Sequence, residues 1–253
     1  IAIQKLEAEG ASIPGREEAY KLPLDYYREV GENSSSREIA ELGLFKLGTT
    51  LSNLQQYTSA VEVFQKLLRT YPNGLLSGEA LSSLRETLKG LINFKYTHNY
   101  FLPVIIIYQE HAQGAFKDFQ DVQLLYQVSD SFRHLGLYDK AARIFAQAVG
   151  QPLDAPRKEK VIFQLATLNL LSGDYSEAKR LLTIYIKEYP NGPQRREAYR
   201  LLGDANYHLN DYQGAFNSYS SSLLIEGDKG KDAQTYYLLG NSVKRLGDDS
   251  TAV

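Results

Sequence analysis

The sequence predicts an all-α protein made of repeated antiparallel helix pairs. Three observations predict it: a recurring signature, helical spacing of apolar residues around the signature, and small residues at the same two places in each copy. The signature is tyrosine (aspartate in the last copy), two variable residues, then alanine or proline. Five of its six separations are 37 or 38 residues and one is 43, a period typical of stacked supersecondary units. The copies begin at Tyr20, Tyr57, Tyr100, Tyr138, Tyr175, Tyr212 and Asp249.

Each repeat is predicted to hold two helices, one on either side of the signature. Apolar and small residues recur three and four positions apart on both sides of the aligned tyrosine, which is the spacing of one helical face. The segment between the helices contains a residue that suits left-handed geometry at a helix end. These residues are Gly136, Gly173, Gly247 and Asn210.

Small residues mark the place where the two helices of a repeat are expected to cross, because close approach of two helices requires small side chains. In the first helices they are Gly48, Ser129, Ala166, Gly203 and Gly240. In the second helices they are Ala60, Ala141, Ala178, Ala215 and Ala252. Four positions after the first four of these alanines stand the large residues Phe64, Phe145, Leu182 and Tyr219. These large residues are expected to fill the space towards the next repeat.

Two repeats end in the sequence YPNG, at Tyr71 and Tyr189, where proline stops a helix. Together with the leucine-glycine pair of the first helix, the small residue of the second and the large residue four positions later, this ending resembles the tetratricopeptide repeat. The resemblance implies a right-handed superhelical solenoid of about six to seven helix pairs. Other hydrophobic residues replace the signature tryptophan of that family, and the period is longer than the usual one of about 34 residues.

Residues 1–253 are expected to form one solenoid. Repeats at 1–36 and 75–117 are degenerate, because Pro23 and Pro103 replace alanine in their signatures. Such a proline fits a helix that starts later or is kinked at its entry. The better-matching repeats are 37–74, 118–155, 156–192 and 193–229.

Residues 230–253 are expected to be a partial repeat with an open end. An open solenoid end exposes apolar surface that a capping helix normally covers. We expect further repeats beyond this point, and self-association through the same end is the alternative.

Composition and charge disfavour several classes of protein. A net charge of −2 and a pI near 6.2 lack the basic excess of a general nucleic-acid binder, so nucleic acid is not expected as a partner. The absence of cysteine excludes disulfides, thiolate metal sites and a cysteine nucleophile. The longest apolar run, from Phe101 to Tyr108, is too short for a transmembrane helix.

No arrangement of residues indicates catalysis. The histidines His98, His111, His134 and His208 lie outside any ligand-spaced motif, and no phosphate-binding glycine loop occurs. We therefore expect a protein that is not an enzyme and that holds neither a metal nor a cofactor.

The resemblance implies that the inner faces of the first helices line a concave groove. The predicted groove residues include an aromatic stripe flanked by charged and amide side chains, a composition enriched at binding hot spots. The alternative for each single residue is packing against a neighbouring helix. The predicted set is Phe45, Asn53, Tyr126, Asp130, Arg133, His134, Phe163, Arg200, Asp204, Tyr207, His208, Tyr237, Asn241, Lys244 and Arg245.

These observations lead to the hypothesis of a non-catalytic scaffold that binds a peptide or a helix of a partner protein in the groove. Cell-wall or polysaccharide binding is an alternative, since aromatic grooves suit sugars, and RNA binding is a less favoured one. The YPNG-containing connections resemble repeats of bacterial envelope proteins, which implies a periplasmic or outer-membrane-associated location. A cytoplasmic location is the alternative.

Overall fold

Every regular element in the described part of the chain is an α-helix. The structure is a computed structural model, and it describes residues 16–119, 121–149, 153–225 and 229–250. The chain divides into two compact units, residues 1–119 and 120–253. The prediction of a single solenoid over the whole chain stays a prediction.

The first unit contains five described helices, and each packs against the next one along the chain. Fully buried leucine, alanine and phenylalanine side chains, including Phe64, Leu67 and Leu88, form its core. The helices are α1 (Arg16–Asn33), α2 (Arg37–Asn53), α3 (Tyr57–Thr70), α4 (Ser77–Thr97) and α5 (Phe101–His111).

The second unit contains seven described helices, again packed on their neighbours in sequence. The largest side chains of its core are Tyr185, Tyr219 and Phe145, each at most 1% exposed. The helices are α6 (Val122–His134), α7 (Tyr138–Ala146), α8 (Ala155–Ser172), α9 (Tyr175–Glu188), α10 (Arg195–His208), α11 (Tyr212–Leu223) and α12 (Lys229–Ser250).

The signature tyrosine begins the second helix of four repeats, as the sequence predicts. It is the first residue of α3, α7, α9 and α11. The predicted left-handed residues precede it, with φ of +72° at Gly136, +85° at Gly173 and +60° at Asn210. Gln55 takes the same conformation before α3, with φ of +61°. The hairpin turn therefore keeps one backbone geometry although its sequence varies.

The degenerate and partial repeats depart from this pattern. Tyr100 precedes α5 by one residue, so that helix starts later, as one interpretation of Pro103 predicts. Tyr20 and Pro23 lie inside α1, where no hairpin turn separates two helices.

The turn predicted at Gly247 is wrong, because α12 continues through that residue to Ser250. The side chain of Asp249 and the predicted crossing residue Ala252 lie outside the described part of the chain.

Three of the predicted crossings bring the two helices of a repeat into close contact, whereas a Cβ atom added at the predicted crossing residue Gly240 would meet no atom of the described residues within 4 Å. A Cβ atom added to Gly48 would lie 2.7 Å from the ring of Phe64, and one added to Gly203 would overlap the ring of Tyr219. In the repeat between them, the Ser129 hydroxyl donates a hydrogen bond of 2.9 Å to the Ala141 carbonyl. Phe64, Phe145 and Tyr219 thus pack against the first helix of their own repeat, and not only towards the next repeat as the sequence predicts.

A glutamate of a first helix joins one hairpin to the next after each YPNG segment. Glu41 of α2 is 2% exposed, and its carboxylate accepts hydrogen bonds from the backbone N–H groups of Leu75 (3.1 Å) and Leu76 (2.7 Å) at the start of α4. Such bonds satisfy donors that a helix start leaves without partners. The carboxylate therefore fixes where α4 begins relative to α2.

Glu159 of α8 occupies the equivalent position in the second unit and acts through a tyrosine. The Tyr185 hydroxyl donates to Glu159 Oε1 (2.7 Å) and accepts from the backbone N–H of Gln194 (3.2 Å), the residue preceding α10. Burial and the neighbouring Glu159 carboxylate raise the pKa of Tyr185, which keeps the hydroxyl protonated as a donor.

Candidate binding cleft

A cleft of about 350 Å³ lies in the second unit between α6 and α8. These are the first helices of two neighbouring repeats, on which the sequence predicts binding residues. We call it the α6–α8 cleft. The side chains that shape it include Tyr126, Asp130 and Arg133 from α6, Phe145 from α7, and Phe163 and Leu171 from α8.

Two aromatic rings of the cleft are held from behind by the second helices of their repeats. The Tyr126 ring lies edge-on to Phe145, with ring centroids 6.2 Å apart. Phe163 packs against the buried Tyr185 at 5.4 Å. Because both rings are fixed while remaining partly accessible, they offer apolar surface that needs little ordering when a ligand binds.

Charged side chains of α6 lie beside these rings. Asp130 Oδ1 accepts a hydrogen bond of 2.7 Å from Arg133 Nε, and its other oxygen is 3.3 Å from His134 Nε2. The Asp130 side chain is 10% exposed, whereas those of Arg133 and His134 are about 40% exposed. Asp130 thus fixes a guanidinium, a planar donor suited to carbonyl and carboxylate groups, at the edge of the cleft.

A second recess of about 670 Å³ adjoins the α6–α8 cleft and shares Tyr126, Phe145 and Gln164 with it. Its cations, Arg157 and Lys160, come from the N-terminal half of α8. The Lys160 ammonium lies 5.8 Å from the centroid of the Tyr126 ring, within reach of a cation–π interaction. We call this part the basic recess.

Two family models described as tetratricopeptide repeat match residues 43–74 and 163–231. Both segments of the chain therefore contain tetratricopeptide repeats. The matched segments include the YPNG ending of the first unit and the helices α9, α10 and α11 of the second. No curated protein matches the sequence.

Solved structures share the fold of this chain. The crystal structure of YrrB, described as a TPR protein with an unusual peptide-binding site, is 14% identical with a TM-score of 0.52, and the match covers 78% of this chain and 92% of YrrB. MamA MSR-1 C2 is 15% identical with a TM-score of 0.51, over 67% of this chain and 90% of MamA. The MamA RS-1 ArsTM double mutant is 17% identical with a TM-score of 0.52, and the match covers 66% of this chain and 88% of the mutant. At these identities the likeness concerns the fold.

Two predicted residues of the sixth tetratricopeptide repeat belong to a partly buried network. Arg200 bridges Glu197 (2.6 and 3.0 Å) and Asp204 (2.9 Å), and the Tyr219 hydroxyl donates to Asp204 at 2.7 Å. Burial raises the pKa of Asp204, and the Tyr219 hydroxyl and Arg200 oppose that shift. The side chains of Arg200 and Asp204 are less than one fifth exposed. Arg200 binds its neighbours within α10, and Asp204 connects α10 to α11 through Tyr219.

Tyr207 and His208 lie near the turn between α10 and α11. The Tyr207 ring is edge-on to Tyr212 at 5.4 Å, and His208 stacks on Tyr175 at 4.3 Å with an interplanar angle of 5°. His208 thus packs on the signature tyrosine of the preceding repeat. Neither residue lines the two parts of the cleft described above.

The other predicted residues are divided between the units. Phe45 and Asn53 are on α2 of the first unit, where Phe45 lies edge-on to Phe64 at 6.2 Å. Four more are on α12, where Tyr237 is 69% exposed. Within the second unit, the α6–α8 cleft brings together Tyr126, Asp130, Arg133 and Phe163. The α12 residues are Tyr237, Asn241, Lys244 and Arg245.

Sequence reasoning missed several residues of the cleft and its basic recess, among them Arg157. Leu171 is 47% exposed on the last turn of α8, and Lys160 and Gln164 line the basic recess. Leu171 stands at the repeat position of His134 and His208, so alignment of the predicted groove residues was a signal that could have found it. Lys160 lies before the aligned part of the repeat and gave no such signal.

The described residues do not meet the requirements of a metal site or of a membrane-spanning helix. Over the described ranges, no three histidine, aspartate or glutamate side chains are grouped as metal ligands. None of the helices in those ranges combines the length and apolarity required to cross a membrane. Proteins of this family are generally non-catalytic scaffolds for protein interactions.

Proposed function

We propose that this protein is a non-catalytic interaction scaffold whose second unit binds a peptide or a partner helix in the α6–α8 cleft. The observation that carries the proposal is the convergence of Tyr126, Asp130, Arg133 and Phe163 on one cleft between first helices of neighbouring repeats. Aromatic and arginine side chains together provide apolar contact area and directed hydrogen bonds. The fold supports the general class, and the cleft supplies the candidate surface.

The exposed Leu171 side chain gives a test that leaves the core intact. Peptides are selected from a random phage-displayed dodecapeptide library on the 253-residue protein, and the affinity of a synthetic selected peptide is measured by calorimetry. Leu171→Ser is expected to weaken binding about tenfold, because an apolar contact in the cleft is lost. Tyr126→Ala is expected to weaken it similarly.

Leu209→Ser is the matched control, since Leu209 is 38% exposed and lies outside the cleft lining. It should bind the peptide as the parent protein does. Circular dichroism confirms that all variants remain helical. Equal affinity of the parent, Leu171→Ser and Tyr126→Ala proteins would exclude the α6–α8 cleft as the binding surface.

We also propose a periplasmic or outer-membrane-associated location for the protein. The support is the resemblance of the connections that follow Tyr71 and Tyr189 to those of bacterial envelope repeats. Fractionation of cells expressing the full-length gene, followed by immunoblotting, tests this location. Recovery only in the cytoplasmic fraction contradicts it.

A further inference from the structure

The basic recess has cations on α8, and the carboxylates of Asp121 in its lining and Asp154 beside it already accept hydrogen bonds. Asp154 Oδ1 accepts a hydrogen bond of 3.0 Å from the backbone N–H of Arg157 at the start of α8. Asp121 Oδ1 accepts one of 2.9 Å from the Leu124 N–H at the start of α6. Both carboxylates therefore serve as helix caps, and part of their charge interacts with the amides at the helix starts.

Neither cation of the recess forms a strong ion pair with a carboxylate of the described residues. Arg157 Nε is 3.8 Å from Asp154 Oδ2, with both side chains more than half exposed, so this ion pair is weak. Lys160 has the Tyr126 ring beside its ammonium, and no carboxylate of the described residues forms an ion pair with it. The recess thus presents an aromatic-supported ammonium and a guanidinium one helical turn apart.

Gln164 connects the recess to the α6–α8 cleft. It lines both parts, and within the described residues its amide makes no hydrogen bond. A side-chain amide carries both donors and an acceptor, the groups that the backbone of an extended peptide requires. The backbone of a bound peptide could therefore form hydrogen bonds with Gln164 where the peptide passes from the α6–α8 cleft into the basic recess.

We infer that the basic recess takes an acidic side chain of the bound peptide, with its carboxylate at Lys160 and Arg157, while an apolar side chain of the same peptide contacts Leu171. This inference rests on the proposed function, since it assumes that the α6–α8 cleft binds a peptide. Carboxylates form charge-assisted hydrogen bonds with both cations, which are stronger than neutral ones.

The length of α8 sets the spacing of the two ligand residues. Lys160 and Leu171 are separated along one helix, which places them roughly 16 Å apart at about 1.5 Å per residue. An extended peptide advances about 3.3 Å per residue. The acidic and apolar residues of the ligand are therefore expected about five positions apart.

The dodecapeptide selection also tests this inference. Selected sequences should contain aspartate or glutamate about five positions from an aliphatic or aromatic residue. The parent protein should bind a synthetic selected peptide about tenfold more tightly than its Glu→Gln version, as expected for a lost charged hydrogen bond. Lys160→Met should remove that difference and leave the affinity for the glutamine peptide unchanged.

Lys140→Met is the control with the same charge change, because Lys140 is exposed on α7 and lines neither part of the cleft. It should keep the tenfold preference. A Lys160→Met protein that still prefers the glutamate peptide overturns this inference, although loss of binding in Leu171→Ser would still support the cleft. Failure of the library to yield any binding peptide contradicts both the inference and the proposed function.

Discussion

At the scale of single residues, the two YPNG segments depend on glycine for a reason that is not conformational freedom. A Cβ atom at Gly74 would overlap the Glu41 carboxylate, and one at Gly192 would overlap Glu159. The glycine gives each carboxylate room: Glu41 reaches the start of the next helix directly, and Glu159 reaches it through Tyr185. The sequence shows the YPNG motif, whereas the partner glutamate lies about one repeat earlier.

Gly74→Ala is expected to destabilise the protein by about 1–3 kcal/mol, because the added methyl group must displace the Glu41 carboxylate from its hydrogen bonds. Urea denaturation measures the change in the free energy of unfolding. Gly78→Ala is the control: its Cβ would meet nothing within 4 Å, and alanine favours helix. A similar loss of stability in both variants would show that the Glu41 contact is not the cause.

At the scale of helices, the second helices of the repeats differ in whether a side chain caps their N-terminus, although the turns before them share one backbone geometry. Asp174 and Asp211 cap α9 and α11 by accepting from backbone N–H groups at 3.1 and 2.9 Å. Leu137 precedes α7 with similar backbone angles, φ −92° and ψ 60°, and provides no side-chain cap. The backbone N–H groups at the start of α7 therefore lack the side-chain hydrogen bond that caps α9 and α11.

Leu137→Asp is expected to stabilise the protein by about 1 kcal/mol through a new hydrogen bond at the start of α7. Thermal and urea unfolding followed by circular dichroism measure the gain. Leu135→Asp, at the exposed leucine that follows the last residue of α6, should give no gain because a carboxylate is unfavourable at a helix C-terminus. Should both variants gain stability equally, capping would not be the explanation.

Helices could be predicted well where the repeat pattern was complete. Tyr57, Tyr138, Tyr175 and Tyr212 all begin helices, because the turn before each uses one left-handed residue. The pattern failed at Gly247, where glycine stands inside α12. A glycine permits a turn but does not require one.

At the scale of the whole molecule, the chain contains two compact units, and every strong helix contact within each is between neighbours or next neighbours. In repeat proteins stability is therefore approximately a sum of repeat terms and nearest-neighbour terms. A local change should act mainly on the repeats that it touches. This property gives a test on the intact chain.

Hydrogen exchange of Gly74→Ala should be faster than in the parent protein mainly in α2, α3 and α4, the helices around the altered joint. Amides of α9 and α10 should exchange nearly as in the parent. Mass spectrometry of peptic fragments resolves these regions. Equally accelerated amide exchange in α2 and α10 would indicate that the chain unfolds as one cooperative unit.

The candidate site could be predicted in part. Tyr126 and Phe163 share a repeat position and also share a cleft, so alignment of repeats was sufficient for them. Arg200 occupies the same position but is tied to Glu197 and Asp204, and Asp204 also accepts a hydrogen bond from the Tyr219 hydroxyl, a group that Phe145 lacks. Such differences depend on contacts between helices, which a repeat alignment does not contain.

The glutamate joint affects where this protein can be shortened. A fragment that ends at Gly74, the apparent boundary of a repeat, would keep the buried Glu41 carboxylate and lose the Leu75 and Leu76 donors that it needs. A fragment that starts after Glu159 would leave Tyr185 without the carboxylate that accepts the hydrogen bond of its hydroxyl. Expression fragments should therefore retain each glutamate together with the first residues of the helix that follows its YPNG segment.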